Sequence, residues 1–226
     1  MTPEVDPPKA GQLRPCLYLI DGSAYVYRAF HAVRGLANSK GLPTNAVFGF
    51  SRMLIKLRQE RGPRYVAMFF DAKGPTFRHE LYSAYKANRP AMPEELAVQL
   101  PYIKRVTAGF NIPSIEMSGY EADDLIGTYA RLAVEAGFNV VMVTGDKDFM
   151  QLVNERATIW DPMKEKVIDT AAIARDFNLA PAQLIDMMGL SGDTADNVPG
   201  VPGIGPKTAL ALIQQFGGLQ ALYDRI

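Results

Sequence analysis

The sequence is poor in the side chains that most often bind zinc or act as nucleophiles. It has one cysteine, Cys16, and two histidines, His31 and His79, among 226 residues. A single cysteine excludes an internal disulfide, and its place in the apolar run CLYLI predicts a buried structural thiol in a reducing compartment. Neither histidine is placed for a Ser-His-Asp arrangement, so covalent nucleophilic catalysis is not expected.

Long apolar runs are also missing. No run approaches the roughly 18 residues that a membrane span needs, and the opening MTPEVDPPKAGQLRP lacks the apolar centre of an export signal. We interpret residues 1–15 as a disordered, proline-rich leader and expect a cytoplasmic protein with no membrane partner. The 48% hydrophobic composition suits one sizeable core, with room for a smaller appended lobe.

Net charge is absent as well, because 24 basic residues offset 24 acidic ones. A neutral chain argues at first sight against a polyanionic partner. Bound cations that neutralise a group of acids would leave the remaining surface basic, and that surface would suit a polyanion.

The apolar pattern predicts an α/β fold. Strands are indicated by CLYLI at 16–20, YVAMFF at 65–70 and NVVMVT at 139–144, with a weaker candidate at 112–116 and an edge hairpin near 156–169. Helical patterns lie between them at 45–62, 94–109 and 121–137, and Gly137 suits the C-cap of the last helix. Such alternation is typical of a mostly parallel sheet that helices cover on both faces.

Two regions depart from this alternation. Residues 71–95 contain three prolines and few core residues, which indicates either disorder or a functional loop or lid. From residue 171 the chain becomes helical and glycine-rich, so we divide it into a core at 16–170 and a helical lobe at 171–226.

Nine carboxylates are predicted to converge on the edge of the sheet where the parallel strands end, because ligands of open α/β sheets bind there. They follow predicted strands, open the helix at 121–137 or lie in GDTADN: Asp21, Asp71, Glu121, Asp123, Asp124, Asp146, Asp148, Asp193 and Asp196. Each alone is typical of an ordinary cap or turn. Together they would repel one another strongly unless cations neutralise them.

Ligands that are all oxygen favour Mg²⁺ or Mn²⁺. Two such ions about 4 Å apart could activate water and stabilise the leaving oxygen of a phosphodiester. Without the nine acids, 24 basic residues face 15 acidic ones, a net charge of +9 that suits a nucleic-acid backbone.

The glycine-rich stretch PGVPGIGPKTALALI predicts a second phosphate contact. Pro206 separates Gly205 from Lys207, so the Gly-Lys step of a nucleotide P-loop is absent. Gly203 and Gly205 indicate a tight turn that opens a helix and presents backbone N–H groups to phosphate. A plain Gly-Pro loop between helices is the alternative.

Residues 73–89 mix basic and aromatic side chains, which suits a single strand whose phosphates pair with cations and whose bases stack. They are Lys73, Arg78, Lys86 and Arg89 with Phe77, Tyr82 and Tyr85. A solvated charged loop remains the alternative for this segment.

The ordered motifs YEADD, GDKD, GDTADNVPGVPGIGPKTA, FDAKGPTFRHE and YKANRP give the chain a specific resemblance. From about residue 16 to 226 it resembles the 5′ nuclease domains of bacterial DNA polymerase I and, more distantly, flap endonucleases and phage 5′ exonucleases. All nine acids fall on the acidic ligand positions of that PIN-like superfamily. The stop at Ile226 departs from the pattern, so we expect a shortened nuclease domain with a weakened duplex grip.

The resemblance implies a structure-selective 5′-3′ exonuclease or flap endonuclease of DNA replication and repair. It implies a helical arch at 72–94 whose Lys86 and Arg89 act with Asp71 and Asp146 in catalysis, and 5′-strand contacts from Tyr27, Arg28, Arg78, Lys86 and Arg89. It further implies a helix-hairpin-helix that grips duplex DNA through Gly203, Gly205, Lys207 and Thr208, with K⁺ bound there.

The expected partner is DNA with a 5′ flap or a 5′ end at a single-strand junction. The chain would be a monomer or part of a larger polymerase chain, and it would be nucleoid-associated in a bacterial cytoplasm. Two alternatives stay open: a DNA-structure binding module without catalysis, and an RNA-processing PIN-type nuclease.

Overall fold

The structure, a computed structural model, describes residues 14–225. Most of the proposed leader, residues 1–13, lies outside the described residues. A six-stranded sheet in the order β3-β2-β1-β4-β5-β6 forms the centre of the molecule. Its strands are β1 (Cys16–Asp21), β2 (Tyr65–Phe69), β3 (Ser114–Ile115), β4 (Asn139–Val143), β5 (Ala157–Asp161) and β6 (Lys166–Ile168).

The sheet is parallel except at one edge. Strands β1 to β5 pair in parallel, and β6 adds antiparallel to β5 as the predicted edge hairpin. The mostly parallel α/β class and all the predicted strands are therefore confirmed. The parallel order brings the carboxyl ends of β1, β2 and β4 to one edge, where Asp21, Asp71 and Asp146 lie.

Ten α-helices lie in the described part of the chain. They are α1 (Gly22–Ala32), α2 (Asn45–Glu60), α3 (Phe77–Leu81), α4 (Glu94–Ala97), α5 (Leu100–Gly109), α6 (Ala122–Glu135), α7 (Thr170–Phe177), α8 (Gln183–Ser191), α9 (Pro206–Phe216) and α10 (Leu219–Tyr223). A 3₁₀ turn spans Lys147–Leu152, and a short antiparallel pair joins β7 (Gly192–Asp193) to β8 (Val198–Pro199). None of these helices is long and apolar enough to cross a membrane.

Two helix predictions need correction. Helix α1 was not predicted, because its start at Gly22 and Ser23 is typical of a turn. The single helix expected at 94–109 is two helices, α4 and α5. Pro101 lies in the first turn of α5, and a proline in a continuous helix would lack its N–H and clash with the preceding turn.

Buried apolar residues form a layer on each face of the sheet. One layer packs α1, α2 and α5 around Phe50, Leu54 and Ile103. The other packs α6 against the sheet, and it includes Leu184 of α8 and Ile213 of α9. The C-terminal helices therefore share an apolar cluster with the sheet, which fixes the GDTADN loop beside the strand ends.

Residues 71–95 contain only one helix of five residues, α3, and a short start of α4. The stretch YKANR forms turns, and Lys86 adopts a left-handed conformation with φ of 55°. Lys86 and Arg89 therefore do not share a helical face. Instead the segment folds over the carboxyl edge of the sheet, as the site contacts below show.

Candidate active site

The first acids of the site also cap the elements that follow their strands. Asp21 ends β1 and accepts a hydrogen bond from the amide of Ala24, so it is the N-cap of α1. Asp146 follows β4 and accepts the amide of Asp148 at the start of the 3₁₀ turn. Capping explains why these carboxylates are locally stable, and it leaves their second oxygens available for other contacts.

Thr144 connects these two strand ends. Its hydroxyl is fully buried, donates to Asp21 Oδ2 at 2.9 Å and accepts the amide of Asp146 at 3.1 Å. This side chain fixes the spacing between the β1 acid and the β4 loop. It was not predicted from sequence, although a threonine directly before GD at a strand end is the pattern to look for.

Asp71 joins β2 to α6. Its amide donates to Ser23 Oγ at 2.8 Å, and its Oδ1 accepts the amide of Ala122 at 2.8 Å. The second bond caps the N-terminal turn of α6, where a carboxylate also interacts favourably with the helix dipole. Glu121 precedes this turn and is buried, with 8% of its surface exposed.

Eight of the nine predicted acids line one cleft of about 280 Å³ at the carboxyl edge of the sheet: Asp21, Asp71, Glu121, Asp123, Asp146, Asp148, Asp193 and Asp196. Lys86, Arg89 and Tyr27 line the same cleft. Asp124 instead lines a neighbouring cleft together with Arg78. The structure therefore brings together the acids that the strand ends and GDTADN were predicted to contribute.

Burial and mutual repulsion raise the pKa of three of these acids. Burial, with the charges of Asp71 and Asp146 adding to it, raises the pKa of Asp21 to about 7, despite its hydrogen bonds from Ala24 and Thr144. Burial and the adjoining carboxylates raise the pKa of Asp123 and of Asp148 to about 6. The site is thus short of positive charge.

The segment 82–89 supplies two of the cations that pair with these acids, and Lys147 supplies another, 3.2 Å from Asp193. Lys86 Nζ lies 2.6 Å from Glu121 Oε1, and Arg89 pairs with Asp196. The hydroxyl of Tyr85, which is buried, lies 2.8 Å from Glu121 and 2.9 Å from Asp196. Tyr85 therefore bridges two acids in this conformation and is not free to stack on a base.

Backbone contacts hold the same segment on the GDTADN loop. The amide of Lys86 donates to the carbonyl of Asp196 at 2.8 Å, and the Asn197 side chain donates to the carbonyl of Ala84 at 2.7 Å. Asn88 reaches the carbonyl of Thr194. The basic segment is therefore closed over the acids through both its side chains and its backbone.

Arg78 and Asp124 form a bidentate ion pair, in which Nη1 lies 2.7 Å from Oδ2 and Nη2 lies 2.7 Å from Oδ1. Burial alone would raise the pKa of Asp124, but the Arg78 guanidinium and the Glu121 amide lower it below the usual range. This pairing separates Asp124 from the other acids.

The remaining predicted DNA contacts lie in three places. Tyr27 borders the cleft, whereas Arg28 pairs with Asp161 at 3.4 Å. Gly203, Gly205, Lys207 and Thr208 are exposed at the start of α9, where Gly203 has a φ of 82° and Gly205 is the N-cap. The predicted glycine turn that opens a helix is therefore present.

The donor set suits a hard divalent cation, because it consists of carboxylate oxygens. Oδ1 of Asp148 is buried and has no hydrogen-bond partner within residues 14–225, so this oxygen is available to a cation. In their present positions, no three Asp, Glu, His or Cys side chains of residues 14–225 form a group that could hold a metal. The chemistry of the acids fits a metal, and their side chains would have to adjust to bind it.

Comparison with known families identifies both parts of the chain. The N-terminal resolvase-like domain of 5′-3′ exonucleases matches residues 16–178, and the C-terminal SAM fold of 5′-3′ exonucleases matches residues 179–226. The chain belongs to the 5′-3′ exonuclease family. This confirms the resemblance found in the sequence.

Relatives of this 5′-3′ exonuclease chain fall into two length classes. DNA polymerase I of Rhizobium leguminosarum is 46% identical over 92% of the chain, which spans 21% of that relative. A 5′-3′ exonuclease of Aquifex aeolicus is 42% identical over 90% of the chain, which spans 71% of it. The chain thus corresponds to about a fifth of the polymerase and to most of the shorter exonuclease.

Solved structures share the fold of the 5′-3′ exonuclease chain. T5 5′-exonuclease with bound zinc has a TM-score of 0.77 at 22% identity, over 93% of this chain and 79% of that one. T5 flap endonuclease in a complex with DNA and metal ions has a TM-score of 0.75 at 23% identity, with the same coverage. The catalytic core of Rad2 with DNA has a TM-score of 0.61 at 22% identity, over 94% of this chain and 65% of that one.

Proposed function

We propose that the chain is a metal-dependent 5′ nuclease that hydrolyses DNA phosphodiesters near a 5′ end or a 5′ flap. The observation that carries the proposal is the cleft in which eight carboxylates from separate elements face Lys86 and Arg89. Membership of the 5′-3′ exonuclease family supports phosphodiester hydrolysis as the reaction. The similar T5 flap endonuclease structure with DNA and metal ions supports DNA as the substrate and divalent metal as the cofactor.

The carboxylates would hold two Mg²⁺ or Mn²⁺ ions. Asp21, Asp71, Glu121 and Asp123 are proposed for one site. Asp146, Asp148, Asp193 and Asp196 are proposed for the other. Asp124, which pairs with Arg78, is proposed to bridge the two sites or to act through water. Divalent cations would supply charge neutralisation and water activation when bound.

Lys86 and Arg89 act on the substrate phosphate in this proposal. Without substrate they neutralise Glu121 and Asp196, so they already lie in the acidic cleft. Bound divalent cations would supply the positive charge that Glu121 and Asp196 now receive from Lys86 and Arg89, and the two basic side chains would then be free to bind the scissile phosphate. A positive group held at that position stabilises the charge that develops on phosphate during hydrolysis.

Further contacts would position the DNA. Arg78 and Tyr27 border the carboxylates and are proposed to contact the 5′ strand, as is Arg28. The exposed start of α9, with Gly203, Gly205, Lys207 and Thr208, is proposed to bind duplex phosphates, with K⁺ as an additional ligand. These contacts would bind backbone phosphates and recognise the shape of the DNA. The protein would therefore select its substrate by DNA structure and not by base sequence.

The cellular role is proposed from the relatives. A 5′ nuclease joined to a polymerase suits the removal of primers and damaged strands during replication and repair, in the cytoplasm where bacterial DNA lies. The chain would act as a monomer or as part of a longer polymerase chain.

The proposal is tested with 5′-labelled flap substrates of matched DNA and RNA sequence. We expect the DNA flap to be cut with Mg²⁺ and not with EDTA. Asp71→Ala and Asp146→Ala should lower cleavage by about a thousandfold or more, because each tenfold corresponds to about 1.4 kcal/mol and metal ligands contribute several. DNA binding should remain largely intact.

A matched control is Asp176→Ala, because Asp176 pairs with Lys166 and Arg175 away from the cleft. It should cleave like the unmodified protein. Binding of flap DNA without cleavage in Mg²⁺ or Mn²⁺ would favour a non-catalytic binding module. Preferential cutting of the RNA flap would favour an RNA-processing nuclease.

A further inference from the structure

A tenth acid, Asp161, reaches the carboxyl edge of the sheet but does not line the acidic cleft. It is the last residue of β5, and the parallel register pairs the preceding Trp160 with Val143 of β4. Asp161 is therefore level with Thr144. Its side chain is buried, and the Oδ1 atom accepts the amides of Met163 and Lys164.

The second oxygen of Asp161 faces a cation. Oδ2 lies 3.4 Å from Nη1 of Arg28, which reaches it from α1. This is the one side-chain hydrogen bond of Arg28 within residues 14–225. The guanidinium also lies 6.0 Å from the ring centre of Tyr25, so Asp161 and Tyr25 fix its position from two directions.

The guanidinium of Arg28 contacts the loop that carries two of the site acids. A Cβ atom added at Gly145 would overlap Nη1, Nη2 and Cζ of Arg28, so the guanidinium lies directly against this glycine. Gly145 immediately precedes Asp146, and Asp148 is two residues further on. Arg28 therefore packs against this loop, and in its present position only glycine leaves room for the guanidinium.

We propose that Asp161 is a positioning residue of the nuclease site: it holds Arg28 against Gly145 and thereby keeps Asp146 and Asp148 in the cleft. This inference rests on the proposed function. It assigns Asp161 a role that acts through Arg28 and the loop, without contact to metal or substrate. It also gives Arg28 a supporting role beside its proposed contact with the 5′ strand.

Two variants release Arg28 by different routes. Asp161→Asn keeps one oxygen for the Met163 and Lys164 amides but replaces the oxygen that faces Arg28 with an NH₂ group. Gly145→Ala leaves Asp161 unchanged and displaces the guanidinium with a methyl group. Asp176→Asn is the matched control, because it makes the same chemical change in an exposed ion pair away from the cleft.

The measurements are Mn²⁺ binding by calorimetry and single-turnover cleavage of flap DNA. Partners that orient metal ligands typically contribute about 10- to 100-fold to affinity or activity, so we expect losses of about tenfold for Asp161→Asn and for Gly145→Ala. The double variant should lose little more than either single variant, because both act through Arg28. The substrate concentration at half-maximal rate should change less than about twofold.

Unchanged Mn²⁺ affinity and unchanged cleavage rate in Asp161→Asn and Gly145→Ala would overturn the proposal. A change confined to DNA affinity would also overturn it, since Arg28 would then act only as a DNA contact. If the unmodified protein binds Mn²⁺ but cuts no DNA, the proposed function fails, while the Mn²⁺ affinities of the two variants still decide the role of Asp161.

Discussion

Thr144 donates the hydrogen of its buried hydroxyl to Asp21, and the same oxygen accepts the amide of Asp146. One small side chain thus ties together the acids that follow two neighbouring strands. We expect Thr144→Val to lower cleavage and Mn²⁺ affinity by about 10- to 100-fold, as for other groups that orient metal ligands. The loss of the buried hydrogen bonds should also lower the free energy of unfolding by about 1–3 kcal/mol.

Thr144→Ser should restore cleavage, because serine keeps the hydroxyl. Thr107→Val is the matched control, since Thr107 is also fully buried but its hydroxyl donates to Ile103 within α5. This variant should lose stability without losing Mn²⁺ affinity. Equal effects of both valine variants on metal binding would show that Thr144 acts only on folding.

Lys86→Ala should lower the turnover rate far more than it lowers DNA affinity. In the proposal the Lys86 ammonium leaves Glu121 and stabilises the phosphate charge that develops during hydrolysis, and such interactions act mainly on turnover. Turnover and half-saturation should be measured separately with a flap substrate. Lys104→Ala, which breaks an exposed pair with Glu116, serves as the control. A raised half-saturation at unchanged turnover would reduce Lys86 to a binding contact.

Residues 72–94 should become ordered around a 5′ single strand. In this structure the segment is held by contacts to Glu121 and Asp196, and divalent cations would compete for the same carboxylates. We therefore expect low amide protection across 82–89 with Mn²⁺ alone and high protection when flap DNA is added. The basic charges would otherwise repel one another. High protection in Mn²⁺ that flap DNA does not change would mean that the segment is preformed.

Lys207→Ala and Gly205→Pro should weaken binding to duplex DNA equally for all sequences. Both residues lie at the exposed start of α9, where backbone amides and a lysine can contact phosphates but not base edges. Loss of one phosphate contact by Lys207→Ala should reduce the slope of log affinity against log salt by about one. Lys164→Ala is the control. A loss that depends on DNA sequence would contradict this interpretation.

Metal should stabilise the protein much more above neutral pH than in mild acid. The raised pKa values of Asp21, Asp123 and Asp148 mean that the folded metal-free protein holds protons that the unfolded chain has released. These acids therefore lower stability as pH rises from about 4 to about 7. Mn²⁺ binds the ionised acids. The increase in the protein's melting temperature on adding Mn²⁺ should therefore be small at about pH 5 and large at about pH 7.5.

Asp148→Asn should bring the Mn²⁺-induced increases in melting temperature at the two pH values closer together. The reason is that this variant lacks one of the acids that must lose a proton before Mn²⁺ binds. Equal Mn²⁺ shifts of the melting temperature at both pH values would indicate that the metal binds elsewhere.

The positions of the acids could be predicted from the sequence, because strand ends and helix starts are local features. The runs before Asp21, Asp71 and Asp146 predict where each strand ends, and a parallel sheet then requires a common edge. The break before α5 could have been predicted as well, since Pro101 is visible in the sequence.

Contacts between distant residues could not be predicted in this way. Arg28 and Asp161 are 133 positions apart, and Tyr85 bridges Glu121 to Asp196 across three separate segments. Nothing in the local sequence around Arg28 distinguishes a DNA contact from a support for Gly145. Such roles follow from tertiary packing, which periodicity and turn chemistry do not specify.

The most direct measurement is a crystal structure of the chain with Mn²⁺ and a 5′-flap DNA, with the ions located by anomalous scattering. The account predicts Mn²⁺ peaks among the carboxylates of the cleft, with Lys86 and Arg89 moved from Glu121 and Asp196 to the phosphate beside them. No Mn²⁺ peak in the cleft, with Lys86 still paired to Glu121 and the DNA bound elsewhere, would contradict it.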